Sequence, residues 1–426
     1  MLKKSFFGLA KPRMEYDLLP ARMTEPETVV APKTATLLHP KQDAPNAPAL
    51  LKVGDTVKTG QKISLYADDP ACVISSVTGT VAAMSPFSGD FGKNYTAITI
   101  EVDGEHVFDD RFEELARQPD PAAAPYLAGI PGGPPMGTLM DPASEIKTIV
   151  IRGADHDLLV GTNQYIVKTG LADIQRGIKA LKDLTGIEQI ILVTAAESLQ
   201  GFGHLGARVK SIGRDYPDAL DHMIMKNVLD EVVPAGKTCE ELGVCFINAE
   251  AVASIGKTFD SGRMPSAKLL TLINKNGGPQ LVRTTIGTPI GKILQRFSIA
   301  IEEKDRVILG GPMRGSAVFS LDHPVLPDTD AIMVVDDSRA AAASQYPCVN
   351  CGDCIRACPV QIPVNMLVRF LEAGQYEEAA ERYDLLCCIE CGLCSFVCIS
   401  KIPIFQYIKL AKHELDRAQT VEETNV

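Results

Sequence analysis

Cys348-Val349-Asn350-Cys351-Gly352-Asp353-Cys354-Ile355-Arg356-Ala357-Cys358-Pro359 is the stretch that organises this chain. It returns, after 29 intervening residues, as Cys388-Ile389-Glu390-Cys391-Gly392-Leu393-Cys394-Ser395-Phe396-Val397-Cys398. In such a run three closely spaced thiolates wrap one face of an iron–sulfur cube and the fourth reaches a second cube. Two runs predict two 4Fe–4S clusters with crossed ligation. Cys348, Cys351, Cys354 and Cys398 would hold one, and Cys388, Cys391, Cys394 and Cys358 the other. Gly352 and Gly392 let the loops turn tightly. Zinc takes four ligands per site, usually from paired Cys-x-x-Cys halves, which these longer runs are not. Structural disulfides would be out of place in a chain that shows no secretory signal.

The rest of the composition agrees with a metal reading. Of 12 cysteines, nine lie between 348 and 398, and only Cys72, Cys239 and Cys245 lie elsewhere. Such clustering points to metal in a reducing compartment and not to a disulfide framework. A chain of 426 residues, 46% hydrophobic and 22% charged, reads as a soluble protein of several domains. Its net charge of −11 argues against nucleic acid as a partner. In MLKKSFFGLAKPR the apolar patch is cut off by Lys11, Pro12 and Arg13, too soon for a signal peptide. Apolar runs such as Ile190 to Val193 are far shorter than a membrane span. We therefore expect a chain that does not cross a bilayer by itself.

Residues 1–45 read as an extended arm, with Phe6, Phe7 and Leu9 packing on the chain's own body. From Leu50, LLKVGDTVKTGQKISL and CVISSVTGTVAAM place short β-branched runs between Gly54-Asp55, Gly60 and Gly79, the pattern of strands and tight turns. This text resembles the hammerhead of biotinyl and lipoyl carrier domains. Carriers present a modifiable lysine on the central turn. Here that turn, Tyr66 to Cys72, has none, so a structural β-module is expected.

Residues 115–145 interleave seven prolines with glycines and read as a linker or loop. Lys147 to Gly153 then reads as a strand, Gly161 to Leu181 as helix and Gln189 to Thr194 as a second strand, which together predict a parallel α/β unit. Ligands of such sheets gather beyond the strands' carboxyl ends, here Gly153 to Asp157 and Thr194 to Glu197. Asp155, His156 and Asp157 are the polar cluster there, readable as a base, as a metal ligand or simply as loop polarity. Strands recur at 245–248, 268–273 and 280–285. Thr285 to Ile290 and Gly310-Gly311-Pro312-Met313-Arg314-Gly315 read as turns, with Arg314 a candidate anion contact. Helices are expected at 364–383 and 404–416, covering the two clusters, before a frayed acidic tail.

Taken in order, LKVGDTVKTGQKI…SSVTGTV, the α/β unit, IGTPIG, GGPMRG and the paired cysteine runs resemble RnfC over most of residues 45–415. RnfC is the peripheral subunit of the Rnf ion-translocating electron-transport complex. The resemblance implies an α/β multidomain fold. Its parts are an arm (1–45), a β-rich hammerhead-like module (46–115), an α/β domain related to the complex I NADH-binding subunit (116–240), an SLBB β-grasp region (241–335), an α-helical two-cluster ferredoxin module (340–415) and an acidic tail (416–426). It further implies a place on the cytoplasmic face of the cell membrane. The partners would be the other subunits of the complex and ferredoxin or another protein redox carrier.

The sequence departs from the family where flavin and NADH would bind. The glycine loop G-x-G-G-A-G-F-P-T is here Gly129-Ile130-Pro131-Gly132-Gly133-Pro134-Pro135-Met136-Gly137-Thr138, and Pro134 and Pro135 lack the N–H donors a phosphate needs. The N-x-x-E-C-E-P stretch is here Arg152 to Asp157. The Y-P-x-G-x-E-K-Q-L segment becomes Tyr216-Pro217-Asp218-Ala219-Leu220-Asp221. At the second cysteine run, Ile399 stands where proline is common, and Cys387 is a spare thiol. We therefore expect a relay through two 4Fe–4S clusters, without a family-type FMN or NADH site and with no catalytic residue nominated. The other readings are a complete FMN-containing NADH dehydrogenase module and a soluble iron–sulfur reductase of a small cofactor.

Overall fold

The computed structural model describes residues 13–16, 25–41, 48–67, 69, 71–89, 92–116, 120–195, 205–275, 278–338, 343–344 and 346–424. Phe6, Phe7, Leu9, Ala196 and Glu197 lie outside them.

Near the amino end, strands Thr34–Pro40, Asn94–Val102, Gly79–Ser88 and Thr56–Val57 form one antiparallel sheet in that order, accompanied by the short pair Lys62–Ile63 and Val73–Ile74. Alternation along Thr34–Pro40 sends Ala35, Leu37 and His39 inward, and Ala35 and Leu37 pack with Val57, Ile63, Val81, Ile98 and Ile100. This corrects the expected arm: part of residues 1–45 is a paired strand of the β-module. Its partner Asn94–Val102 lies some sixty residues away, so the short text TATLLHP gives no local hint of pairing.

Four parallel strands follow, ordered Arg208–Ile212, Gln189–Ala195, Thr148–Arg152, Val244–Asn248. The strand Val244–Asn248 and helix Ala249–Ser261 belong to this layer, so the expected boundary at 240 falls too early. Strands buried on both faces read as plain apolar runs, and nothing local in Val-Cys-Phe-Ile tells which sheet receives them. Alternate residues face two cores. Ile149, Ile151, Ile190 and Leu192 pack with the helices Thr162–Thr169, Leu171–Thr185 and Ala249–Ser261, whereas Val150, Ile191 and Val193 pack with helix Asp221–Val228 and with the cysteine module. The expected helix from Gly161 is interrupted at Gly170 and ends at Gly186, which takes φ 71°. The proline-rich stretch is no free linker, because Tyr126, Leu127, Ile130 and Met136 are buried in the first of these cores.

A mixed sheet comes next, ordered Glu27–Thr28, Pro279–Thr285, Ala267–Ile273, Ala331–Val335, Arg306–Leu309, Ser316–Ala317. The turn after its second strand meets the β-module: Thr36 N–H donates to the Gly287 carbonyl (2.9 Å) and Ser76 Oγ to the Ile286 carbonyl (2.6 Å).

The cysteine module is helical and internally repeated at an offset of forty residues, the separation of Cys348 and Cys388. Helix Asp353–Ala357 matches Leu393–Val397, and Val364–Glu372 matches the start of Ile404–Thr424. Left-handed backbone recurs at the same places, in Asn350 and Glu390, Gly352 and Gly392, Gln361 and Lys401. Equivalent loops therefore curl alike. Among the described residues no helix is long and apolar enough to cross a membrane.

Candidate iron–sulfur centre

Two pockets lie inside the cysteine module. Cys348, Cys351, Cys354 and Cys398 line one, and Cys358, Cys388, Cys391 and Cys394 line the other. Each takes three thiols from one run and one from the other, the crossing that the spacing anticipates. The repeat explains it. Each short helix ends at its fourth cysteine, whose backbone turns extended and delivers the thiol to the neighbouring loop.

The walls are apolar, with Val349, Val368, Ile399 and Ile402 around the first pocket and Val360, Ile362, Ile389 and Phe405 around the second. Neither lining includes a histidine or carboxylate, so the donor set is sulfur alone. No three His, Cys, Asp or Glu side chains among the described residues converge tightly enough for a single metal ion. The thiols ring their pockets instead. All of the chain's cysteines are free of disulfides. Burial pushes the pKa of Cys354 and Cys388 up to about 11 and of Cys391 to about 12, and that of Cys394 well above the ordinary range. Thiols this dry keep their protons unless a cation replaces them, so metal loading must release protons. The residues fit iron–sulfur clusters in donor type, number and grouping. Cys387 lines neither pocket.

The pockets differ in setting. The first is the outer one: Cys351 is exposed, and Val349 (61%) and Ile399 (61%) of the same lining present apolar surface to solvent. The second is the inner one, packed on the parallel sheet through Ile389, Cys391 and Leu393. Several groups pin its loop. Tyr216 Oη donates to the Cys391 carbonyl (2.7 Å), Arg314 Nε to the Glu390 carbonyl (3.1 Å), and Lys412 Nζ to the Cys388 carbonyl (2.7 Å) and Glu390 Oε1 (2.9 Å). The Met313 carbonyl sits where a side chain on Gly392 would stand, 2.4 Å from an added Cβ. Of these anchors the sequence signals only Arg314, and as an anion contact. Tyr216 and Lys412 carry no local signal, since each acts on a loop remote in the chain.

Asp155, His156 and Asp157 do not form one site. Asp155 accepts from Asn163 N–H (2.7 Å) and Gln164 Nε2 (3.1 Å) at the start of helix Thr162–Thr169, and burial raises its pKa to about 6. His156 faces Asp221 at 3.5 Å, whose carboxylate Arg152 grips at 2.8 and 3.0 Å. Burial opposes the charge on Asp221, but Arg152 and His156 outweigh it and hold its pKa below the usual carboxylate range. Asp157 accepts from the amides of Leu158 (2.7 Å), Met313 (3.1 Å) and Arg314 (2.8 Å) and so shapes the Gly310–Gly315 turn.

The sheet's strand order reverses between Thr148–Arg152 and Val244–Asn248, which is where an open α/β sheet takes a nucleotide. Here the glycine loop meets the end of strand Val244–Asn248. Asn248 caps helix Ala249–Ser261 by accepting from Ala251 N–H (2.8 Å), and its Nδ2 donates to the Gly132 carbonyl (2.9 Å). Gly132, at φ 98°, lies so close that an added Cβ would meet Ala251 N at 2.3 Å. Behind it, Glu250 and Lys268 form a buried ion pair, and Glu250 also accepts from Leu269 N–H (2.8 Å). Burial alone would lower the Lys268 pKa, but Glu250 and Asp330 outweigh it and hold it raised. The glycine loop and this helix start are thus bonded to each other. A cavity of ≈ 550 Å³ lies between the β-module, the proline-rich stretch and the mixed sheet; Gly129, Met136 and Gly137 of the same glycine loop line it, and none of the paired-run cysteines does.

A family model described as the RnfC barrel sandwich hybrid domain matches residues 23–105. The C subunit of an ion-translocating oxidoreductase complex of Pseudomonas aeruginosa is 28% identical over 401 residues, covering 87% of this chain and 51% of its own length. This chain thus spans about half the length of that relative. The protein of the same name from Rhodobacter capsulatus is 27% identical over 423 residues, covering 93% of this chain and 80% of its own. The C subunit of the Na(+)-translocating ferredoxin:NAD(+) oxidoreductase complex of Acetobacterium woodii is 25% identical over 373 residues, covering 80% and 81%. Among solved structures, an NAD+-reducing [NiFe]-hydrogenase in the H2-reduced state aligns with TM-score 0.46 and 13% identity, over 70% of this chain and 64% of that chain.

Proposed function

We propose that this chain, RnfC-like from its amino-terminal barrel to its cysteine runs, is a peripheral electron-transfer subunit of a membrane-bound complex that couples redox chemistry to ion translocation. The observation that carries the reading is the pair of four-thiol pockets, each completed by a cysteine from the opposite run. Cys348, Cys351, Cys354 and Cys398 would hold one 4Fe–4S cluster, and Cys388, Cys391, Cys394 and Cys358 the other. Such clusters pass single electrons with little rearrangement, their potentials set by burial and by hydrogen bonds around the sulfurs. Four thiols in each pocket, three from one long run and one from the other, support clusters over the paired Cys-x-x-Cys halves usual for zinc.

The protein's own residues supply position and insulation. The inner thiols sit dry against the parallel sheet, and the outer pocket opens at Cys351 within an apolar collar suited to a protein redox partner such as a ferredoxin or a neighbouring subunit. The mixed sheet is read as the SLBB-type region and the cysteine module as ferredoxin-type, both serving as scaffold and docking surface on the cytoplasmic face of the membrane. The bond between Asn248 and Gly132, in a loop where Pro134 and Pro135 lack N–H donors, supports electron entry from a protein donor in place of FMN and NADH.

Anaerobic purification with iron, sulfide and flavin quantitation tests this, followed by EPR during NADH titration. Two clusters per chain, no flavin and no response to NADH alone are expected. Stoichiometric flavin that NADH reduces would restore the complete dehydrogenase reading, and absence of iron from folded protein would end the relay.

A further inference from the structure

The two pockets repeat one another in chain terms, but the charges beside them do not repeat. At the outer loop the nearest fixed cation is Arg356, whose guanidinium donates to the Cys351 carbonyl (3.1 Å) and pairs with Asp353, with 43% of its side chain in solvent. Water screens a charge so placed. At the inner loop Arg314 donates from Nε to the Glu390 carbonyl (3.1 Å), and a second cation, Lys412 from the long carboxyl-terminal helix, has 21% of its side chain exposed. Its ammonium holds the carbonyl of a thiol-bearing residue, Cys388, and the carboxylate of Glu390 within the same loop. Lys412 lies 24 positions beyond Cys388, and among the described residues of the first run's half none supplies an equivalent bond.

We infer that Lys412 is a positioning residue that sets the reduction potential of the inner cluster separately from that of the outer one; this rests on the two-cluster reading above. Reduction of a cluster by one electron adds one negative charge. A fixed ammonium bonded to the ligand loop, in surroundings drier than bulk water, favours that added charge. Glu390 opposes it, and Lys412 neutralises Glu390 while fixing its position. Removing the ammonium withdraws one positive charge and turns the neutral Lys412–Glu390 pair into a net negative one beside the inner site. The outer site, with its own water-screened arginine, has no share in this arrangement.

The test is a dithionite-poised redox titration of the full chain, followed by EPR, with iron and sulfide measured per chain. The inner signal is the one lost in Cys391→Ser. Lys412→Met is expected to move the midpoint of that signal to lower potential and to leave the outer signal in place, and Lys412→Arg to restore it. Glu390→Gln, which removes the opposing negative charge, is expected to move the same signal upward, and this arm stands even if Lys412→Met fails to assemble its inner cluster. Movement of both signals together, or no movement of the inner signal in either charge variant, would overturn the inference. Lack of iron in the unsubstituted protein would instead defeat the two-cluster reading, so the two failures are distinguishable.

Discussion

The carboxylate of Asp157 accepts the backbone N–H of Arg314 at 2.8 Å, joining positions 157 residues apart in the chain. The same carboxylate takes the amides of Met313 and Leu158, and so holds the turn whose Met313 and Arg314 press on the inner cysteine loop. An anchor of the cluster loop is thereby tied to the carboxyl end of a parallel strand. Asp157→Ala would leave these amides without their acceptor in a buried place, a loss on the order of 3 kcal/mol. The expected outcome is a lower thermal midpoint together with faster protease nicking at Gly310–Gly315, and unchanged nicking there would count against the role.

Crossed ligation makes a prediction opposite to the one that assigning each run to its own cluster would make. Cys398 belongs to the second run but lines the outer pocket with Cys348, Cys351 and Cys354. Cys398→Ala should therefore abolish the outer EPR signal and spare the inner one, with iron falling to about half. Cys358→Ala should do the reverse. Loss of the inner signal in the Cys398 variant would mean uncrossed ligation.

Glu250 and Lys268 are a buried pair between helix Ala249–Ser261 and strand Ala267–Ile273. Glu250→Ala strands the ammonium, and breaking such a pair from one side costs roughly 3–5 kcal/mol. Replacing both partners with apolar residues, Glu250→Leu with Lys268→Met, should recover most of it. Denaturant unfolding of the three proteins checks the order, and a double variant as unstable as the single one would refute the pairing argument.

Asp155 carries a pH dependence of definite sign. Burial raises its folded pKa to about 6 from the ordinary 3.8, so between these values the folded chain holds a proton that the unfolded chain lacks. Its contribution to stability is therefore poorest above pH 6 and improves as pH falls through 6. Asp155→Asn removes this contribution, worth about 3 kcal/mol across the window. The difference in thermal midpoint between the two proteins, measured from pH 5 to 7.5, should change with pH. A constant difference would show that Asp155 does not titrate there.

Much of the site is legible without coordinates. Eight cysteines in two runs, and the expectation that Cys358 and Cys398 cross, are read from motif spacing alone, and the pocket linings group the thiols in the same two sets. The strand at Thr148–Arg152 is equally plain, since period and apolarity are local properties, whereas the helix expected over 364–383 is broken into Val364–Glu372 and Tyr376–Arg382 beside Gly374, which takes φ 70°. Strand Thr34–Pro40 instead reads locally as part of an arm, and Val244–Asn248 as the start of the next layer. In each case the deciding partner, Asn94–Val102 or Thr148–Arg152, lies far along the chain.

The sequence by itself therefore determined which atoms could bind metal and in what groups, because ligand geometry is short-range covalent chemistry. Only the tertiary structure decided that one pocket faces solvent while the other leans on the parallel sheet. It alone placed Tyr216 against a carbonyl 175 residues away, set Lys412 beside the inner loop, and buried Glu250 against Lys268. Burial and charge proximity arise from contacts between remote segments, and no local pattern of residues specifies them.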